Sequence, residues 1–301
     1  MNKIGAVLPL CITGSYDVDD LGRTEILFKS LAAFMQPGLI DPFLIVTPPH
    51  EVDIVREKCG KWTELFNIQV LSEEDLVPEM KNHPHVRGWR KQQLVKLAAA
   101  RVIKRDFFIT FDADVICLRP LAYDDLIVNN KAILQYEARA LHPKWWKSSS
   151  RILNMNPNVG DAQIGMSVTP ALMSTELCQL AMAEIGGKKR NWADYLCSLH
   201  KPSNPKNWWI GRYLKNKWTE YSLYYLAAMK NNALDNHHIR CGTTELPQEL
   251  LIHDSHPYAE WDVAKSFAPE RNGLFCVVGS KTRLEPADVW QKIAKYIPYS
   301  N

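Results

Sequence analysis

The chain has 301 residues, of which 46% are hydrophobic and 23% charged, and a net charge of +3. That is the make-up of a soluble globular protein with a sizeable core, and the charge is too small to argue for a nucleic-acid partner. Seven cysteines, odd in number and without a C-x-x-C pair, predict reduced thiols in a cytoplasmic protein rather than a disulfide framework or a zinc site.

The opening MNKIGAVLPLCITGSYD reads as a first strand rather than a signal peptide, so the mature protein is expected to begin near Met1. No apolar run approaches the roughly 20 residues of a membrane-crossing helix. After the IGAVLPLCIT strand, DLGRTEILFKSLAAFM places Leu21, Ile26, Leu27, Leu31 and Phe34 at helical spacing. PFLIVT is a second strand, HEVDIVREKCGKW a helix and FNIQVL a third strand; GWRKQQLVKLAAARVI is a helix that leads into a fourth strand, FFITF. This alternation predicts an α/β fold whose mostly parallel sheet carries helices on both faces.

The second half is less regular. KAILQY and QIGMSV read as strands, and PALMSTELCQLAMAEI as a helix with Pro170 in its first turn. Residues 139–160 read as a long loop or irregular cap over a site. WTEYSLYYLAAMK is a helix, ELLIHDS and LFCVVGS are late strands, and PADVWQKIAKYI is a terminal helix. One domain over 1–301 is expected, in two halves, 1–136 and 137–301. The basic run Lys188 to Arg190 reads as a solvated surface.

The apolar FFITF runs directly into Asp112, Ala113 and Asp114. Ligands of an open parallel sheet bind beyond the carboxyl ends of its strands. In extended backbone Asp112 and Asp114 point to one side and Ala113 to the other. Two such carboxylates repel, and Mg2+ or Mn2+ relieves the repulsion while keeping positions open for phosphate oxygens. A second D-x-D, Asp17 and Asp19, lies in a turn and lacks that context. Neither G-x-G-x-x-G nor G-x-x-x-x-G-K occurs, which disfavours dinucleotide and P-loop chemistry.

GWRKQQLVKL, then FFITFDADVICLRP, then WTEYSLYY together resemble a family of bacterial glycosyltransferase-like proteins of the GT-A fold, found among polysaccharide and lipopolysaccharide genes. The resemblance implies a nucleotide-diphosphate sugar donor, a UDP-sugar foremost, a divalent metal at the two aspartates, and transfer to a hydroxyl of a glycan or lipid-linked glycan. It also implies work at the inner face of a membrane, with peripheral contact.

Each further motif has two readings. In the helix opened by Gly88, Leu94, Val95, Leu97 and Ala98 face the sheet, leaving Trp89, Gln92, Gln93 and Lys96 to meet a diphosphate and sugar hydroxyls, or to form a plain exposed face. After the first strand, Thr13, Tyr16 and Asp20 are candidates for the nucleotide, with Tyr16 stacking on the base; equally, Asp19 or Asp20 caps the next helix. Thr219 is the expected N-cap that puts Glu220 in a first turn, where the helix dipole favours its ionised form. The resemblance to a T-E-Y motif makes Glu220 the catalytic base of an inverting transfer. His253 and His256 are candidates for a third metal ligand, His256 foremost. Trp145 and Trp146 are candidates to stack on acceptor sugars or touch a membrane surface, unless they pack under their own loop. A sugar nucleotidyltransferase and a catalytically silent binding module of the same fold are the alternatives.

Overall fold

The structure, a computed structural model, describes residues 2–156, 158–166, 168–187, 190–200, 217–252 and 260–298. Its main sheet has the order β3-β2-β1-β4-β8, built from β1 (Ile4–Pro9), β2 (Ile40–Thr47), β3 (Ile68–Ser72), β4 (Phe107–Thr110) and β8 (Ala171–Ser174). The first four are mutually parallel and β8 runs antiparallel to β4. All residues of β1, β4 and β8 are buried, as expected for strands covered on both faces. One layer of core packs α3 (Gly88–Ala98), α5 (Thr175–Gly186) and α6 (Glu220–Lys230) on one face. The other sets α1 (Asp20–Phe34) and α2 (Val52–Cys59) on the opposite face, around Phe28, Phe43, Phe66 and Phe111.

β1 and β4 are neighbours, with Val7 opposite Thr110, although the chain turns outward from each in opposite directions. This is the switch point of the sheet, where a crevice opens beyond the strand ends. Two small sheets flank it. β5 (Val115–Cys117) pairs antiparallel with β11 (Gly273–Val277), which pairs with β10 (Glu249–Leu251). β7 (Lys131–Leu134) lies between β6 (Ile127–Val128) and β9 (His238–Arg240). The β11–β5 pairing ends with the Val278 amide donating to the Asp114 carbonyl at 3.0 Å, which sets Gly279 to Lys281 beside the paired aspartates.

Three local expectations fail. Pro170 does not open a helix: Ala171–Ser174 is a buried strand, and the helix starts at Thr175 with Ser174 as its N-cap. A short apolar run fits strand and helix periodicity equally, and pairing with β4 decides it. QIGMSV forms no strand among the described residues; only Gly165 bridges to Glu137. Residues 139–160 are not a loop but hold α4 (Pro143–Ile152). Pro143 opens it, and Trp146, Ser149 and Ile152 are buried at helical spacing, Ser149 Oγ lying 2.7 Å from Ser222 Oγ of α6. Small serine side chains let the two helices meet closely, while in sequence they imitate a linker.

Candidate functional site

Thr219 caps α6: its hydroxyl accepts from the Ser222 amide at 3.2 Å, and the Ser222 hydroxyl accepts from the Thr219 amide at 3.1 Å. Glu220 therefore occupies the first turn, as expected. The Arg90 guanidinium holds the preceding Trp218 carbonyl and reaches Gln93 Oε1 at 3.2 Å, tying α3 to the start of α6.

Between these helices and the end of β4 the buried Lys96 and Glu220 meet the partly exposed Asp112. Lys96 Nζ sits 2.8 Å from Asp112 Oδ1, 3.4 Å from Glu220 Oε1 and 3.4 Å from the Tyr221 hydroxyl. Tyr221 in turn bonds Thr110 Oγ1 at 2.7 Å and Thr169 Oγ1 at 3.0 Å. Burial opposes the charge on Lys96, but Asp112, Tyr221 and Glu220 outweigh it and hold the ammonium well above its ordinary range. Burial pushes Glu220 up, with Lys96 pulling the other way and Asp112 adding to the rise. The helix dipole expected to favour its ionised form is outweighed by desolvation. Tyr221→Phe removes the hydroxyl from this network and is expected to cost about 1–2 kcal/mol, because Thr110 and Thr169 lose a buried partner. Urea unfolding midpoints of the two proteins check it.

Asp112 and Asp114 do not lie on one extended strand. β4 ends at Thr110, and Asp112 to Val115 form a turn in which the Val115 amide approaches the Asp112 carbonyl at 3.3 Å. Both carboxylates nonetheless line the crevice, and Ala113 lines it with them rather than facing away. Burial, then Asp112, pushes the Asp114 carboxyl up to about 7 against the pull of Arg23, while Asp20 adds to the rise. Burial likewise takes Asp20 up to about 6, with Arg23 opposing and Asp112 and Asp19 contributing. The three carboxylates thus act on one another.

Two adjoining cavities share Trp89, Gln92 and Asp112 in their walls. The larger, about 610 Å³, is lined by Tyr16, Asp20, Ala113, Asp114, Gly279, Ser280 and Lys281 besides these. The smaller, about 120 Å³, adds Gln93, Lys96, Trp145, Thr169, Glu220 and Tyr221.

Most of the candidates from sequence are brought together here, with corrections. Asp19, not Asp20, caps α1, accepting from the Gly22 amide at 2.8 Å, and Asp20 is left to the cavity. Tyr16 is half exposed, with left-handed backbone at φ 66°, and the Arg283 guanidinium lies 5.8 Å from its ring centre. Thr13 lines neither cavity and bridges to Asp19 instead. Gln93 and Lys96 are buried rather than exposed, and Lys96 is committed to carboxylates rather than free for a diphosphate. The buried Gln93 Nε2 has no hydrogen-bond partner, which leaves a donor in the wall of the small cavity.

Trp145 lines the small cavity, stacked on His142 at 3.8 Å and 6.3 Å from the exposed Trp89. Trp146 does not belong to the site. It is buried edge-on to Tyr225 at 5.6 Å, under the Arg139 guanidinium. His253 and His256 lie outside the described residues, and among those described no group of three or more His, Cys, Asp or Glu side chains is arranged to hold a metal.

Sequence reasoning missed Arg23, Thr169, Tyr221, Ser280 and Lys281. Arg23 is buried between Ser280 Oγ at 3.3 Å and the Leu284 carbonyl at 3.2 Å, so it fastens the segment after β11 to α1. The β5–β11 pairing together with Arg23 brings Ser280 and Lys281 here, and no local signal announces either.

A family model described as a family of unknown function, DUF6492, matches residues 1–301, and the chain belongs to that family. No curated protein matches the sequence. Among solved structures, mouse xyloside xylosyltransferase 1 in its apo form superposes with a TM-score of 0.51 at 9% identity, over 94% of this chain and 100% of that one. Glucosyl-3-phosphoglycerate synthase from Mycobacterium tuberculosis, in complex with Mn2+, UDP and glucosyl-3-phosphoglycerate, gives 0.41 at 13% identity, over 99% of this chain and 82% of that one. The fold is GT-A-like, as the sequence led us to expect. At such identities the likeness reaches the fold alone.

Proposed function

We propose that this member of the DUF6492 family is a metal-dependent glycosyltransferase that moves a sugar from a nucleotide-diphosphate donor to a glycan hydroxyl. One observation carries the reading: the two cavities meet at Asp112, so a site rich in carboxylates adjoins a small one floored by Lys96 and Glu220.

The donor set fits a divalent cation. Asp20, Asp112 and Asp114 crowd negative charge in the larger cavity, and an anionic diphosphate does not enter such a place without added positive charge. Asp112 and Asp114 would hold Mg2+ or Mn2+, which supplies that charge and stabilises the departing diphosphate. Lys281, across the cavity, adds a cation toward the same group. Tyr16 would stack on a base, and Gln92 and the Gln93 Nε2 donor would hold sugar hydroxyls, a role supported by their position in the cavity walls. Trp89 and Trp145 offer ring faces to an acceptor sugar. Glu220 takes the acceptor proton, and burial raises its proton affinity, which favours that task. In this reading 1–301 is one catalytic domain, with the donor on residues 1–136 and the acceptor on 137–301.

Seven free cysteines, six of them buried, support a reducing, cytoplasmic setting. No described helix is long and apolar enough to cross a membrane. The acceptor is proposed to be a growing bacterial polysaccharide or lipopolysaccharide glycan. The decisive assay incubates the protein with a panel of nucleotide sugars and manganese and identifies the products. Release of nucleoside diphosphate, lost on adding EDTA, is the expected result. Inorganic pyrophosphate formed from a nucleoside triphosphate and a sugar phosphate marks a nucleotidyltransferase instead, and nucleotide binding without turnover marks a silent module.

A further inference from the structure

Lys96 is held in one place. It is 4% exposed, and its ammonium lies 5.3 Å from the Tyr221 ring centre besides its contacts to Asp112, Glu220 and the Tyr221 hydroxyl. Tyr221 is in turn pinned by Thr110 and Thr169, so the lysine does not swing out toward a ligand. Asp112 stands between this ammonium and the larger cavity. Its side chain is 41% exposed, Oδ1 is taken by Lys96, and among the described residues Oδ2 meets no donor. One carboxylate thus faces a fixed cation with one oxygen and the crevice with the other. Asp20, by contrast, has its nearest cation, Arg23, at 4.0 Å.

We propose that Lys96 is a positioning residue that keeps Asp112 half neutralised, so that the crevice takes a divalent cation together with a nucleoside diphosphate rather than ahead of it. A positive charge fixed against one oxygen of a carboxylate weakens the pull of that carboxylate on a second cation. A diphosphate brings negative charge of its own, which offsets the ammonium and restores the affinity for the metal ion. Such coupling is reciprocal, so the metal ion tightens the nucleotide by the same factor. The same ammonium also balances the buried Glu220, which explains why a cation is kept here at the cost of weaker metal binding by the free protein. The inference rests on the reading of Asp112 and Asp114 as the metal site.

The test is a titration of the full chain with Mn2+, followed by the paramagnetic resonance of the unbound ion, without nucleotide and with UDP, GDP, ADP and CDP in turn. In wild type at least one of these nucleotides tightens Mn2+ binding by about tenfold or more. Lys96→Met binds Mn2+ alone about tenfold or more tighter than wild type, and the nucleotide then adds correspondingly less. Damage to the fold lowers affinity, so a gain reports the removed charge. Because Lys96→Met leaves Glu220 buried without its counter-charge, a second protein combines it with Glu220→Gln and removes both charges at once. This double variant also binds Mn2+ alone more tightly than wild type, since Asp112 loses its nearest cation. Circular dichroism confirms the fold, and the double variant decides if the single one does not fold. Unchanged or weaker Mn2+ binding by either folded variant overturns the proposal, as does wild type that binds Mn2+ equally well with and without every nucleotide. Those results leave the metal reading standing. Mn2+ bound by none of the three proteins under any condition overturns both.

Discussion

Asp112→Asn and Asp114→Asn should each lower glycosyl transfer by roughly 10³-fold or more and remove the manganese-dependent part of nucleoside-diphosphate binding. The two positions should differ in the folded state. Asp114 is an enclosed carboxyl pressed upward by burial and by Asp112, so making it neutral removes repulsion that a bound cation would otherwise relieve. Asp114→Asn without metal should melt no lower than wild type. Asp112 is also the nearest partner of Lys96, at 2.8 Å, and its loss leaves a buried ammonium held mainly by Glu220. Asp112→Asn should therefore lower the midpoint, since the Lys96 ammonium is buried and loses its nearest counter-charge, although Asp112 itself is partly exposed. Isothermal titration of the nucleoside diphosphate with and without manganese, beside thermal melts, separates these effects. Unchanged, metal-dependent affinity in Asp114→Asn would exclude it as a ligand.

The first half of the fold was legible because its elements are long, periodic and locally determined. β1, α1, β2, β3, α3 and β4 fall where apolar spacing and turn residues put them, and an apolar strand that ends in two aspartates is a local signal with a physical cause. What failed was decided by distant contacts. Ala171 to Ser174 became a strand through pairing with β4, and Ser148 to Ser150 became helix through packing against α6. The site divides the same way. Asp112, Asp114 and Glu220 were found as ends of elements, whereas Lys281 arrives by a pairing between β5 and β11, more than 150 residues apart in sequence. Burial was the least legible quantity. Lys96 and Gln93 have the composition of a solvated helix face and lie in the interior, because α6 covers the side of α3 that the sheet leaves open. That cover explains why a lysine expected to meet phosphate instead balances two carboxylates.

This balance sets the last expected result. In single displacement the acceptor hydroxyl attacks the anomeric carbon from the face opposite the diphosphate, and one group must take its proton as the bond forms. Glu220 lines the small cavity beside Gln93, Trp145 and Asp112, and among the described residues it is the only Glu side chain in that wall. Burial lifts its proton affinity, while Lys96 at 3.4 Å favours its carboxylate form, so the group is basic yet held ready to accept a proton. Glu220→Gln keeps the size and the helix cap but cannot accept the proton. Turnover should fall about 10²–10⁴-fold while donor affinity changes little, since the larger cavity is untouched. A parallel loss of donor affinity would instead mark Glu220 as a support for Lys96 and Asp112. The stereochemistry of the wild-type product provides an independent check. An isolated glycan whose anomeric coupling constants show the configuration opposite to the donor agrees with single displacement assisted by Glu220. Retention would reject that role, and would leave intact the assignment of the two aspartates to the metal and diphosphate.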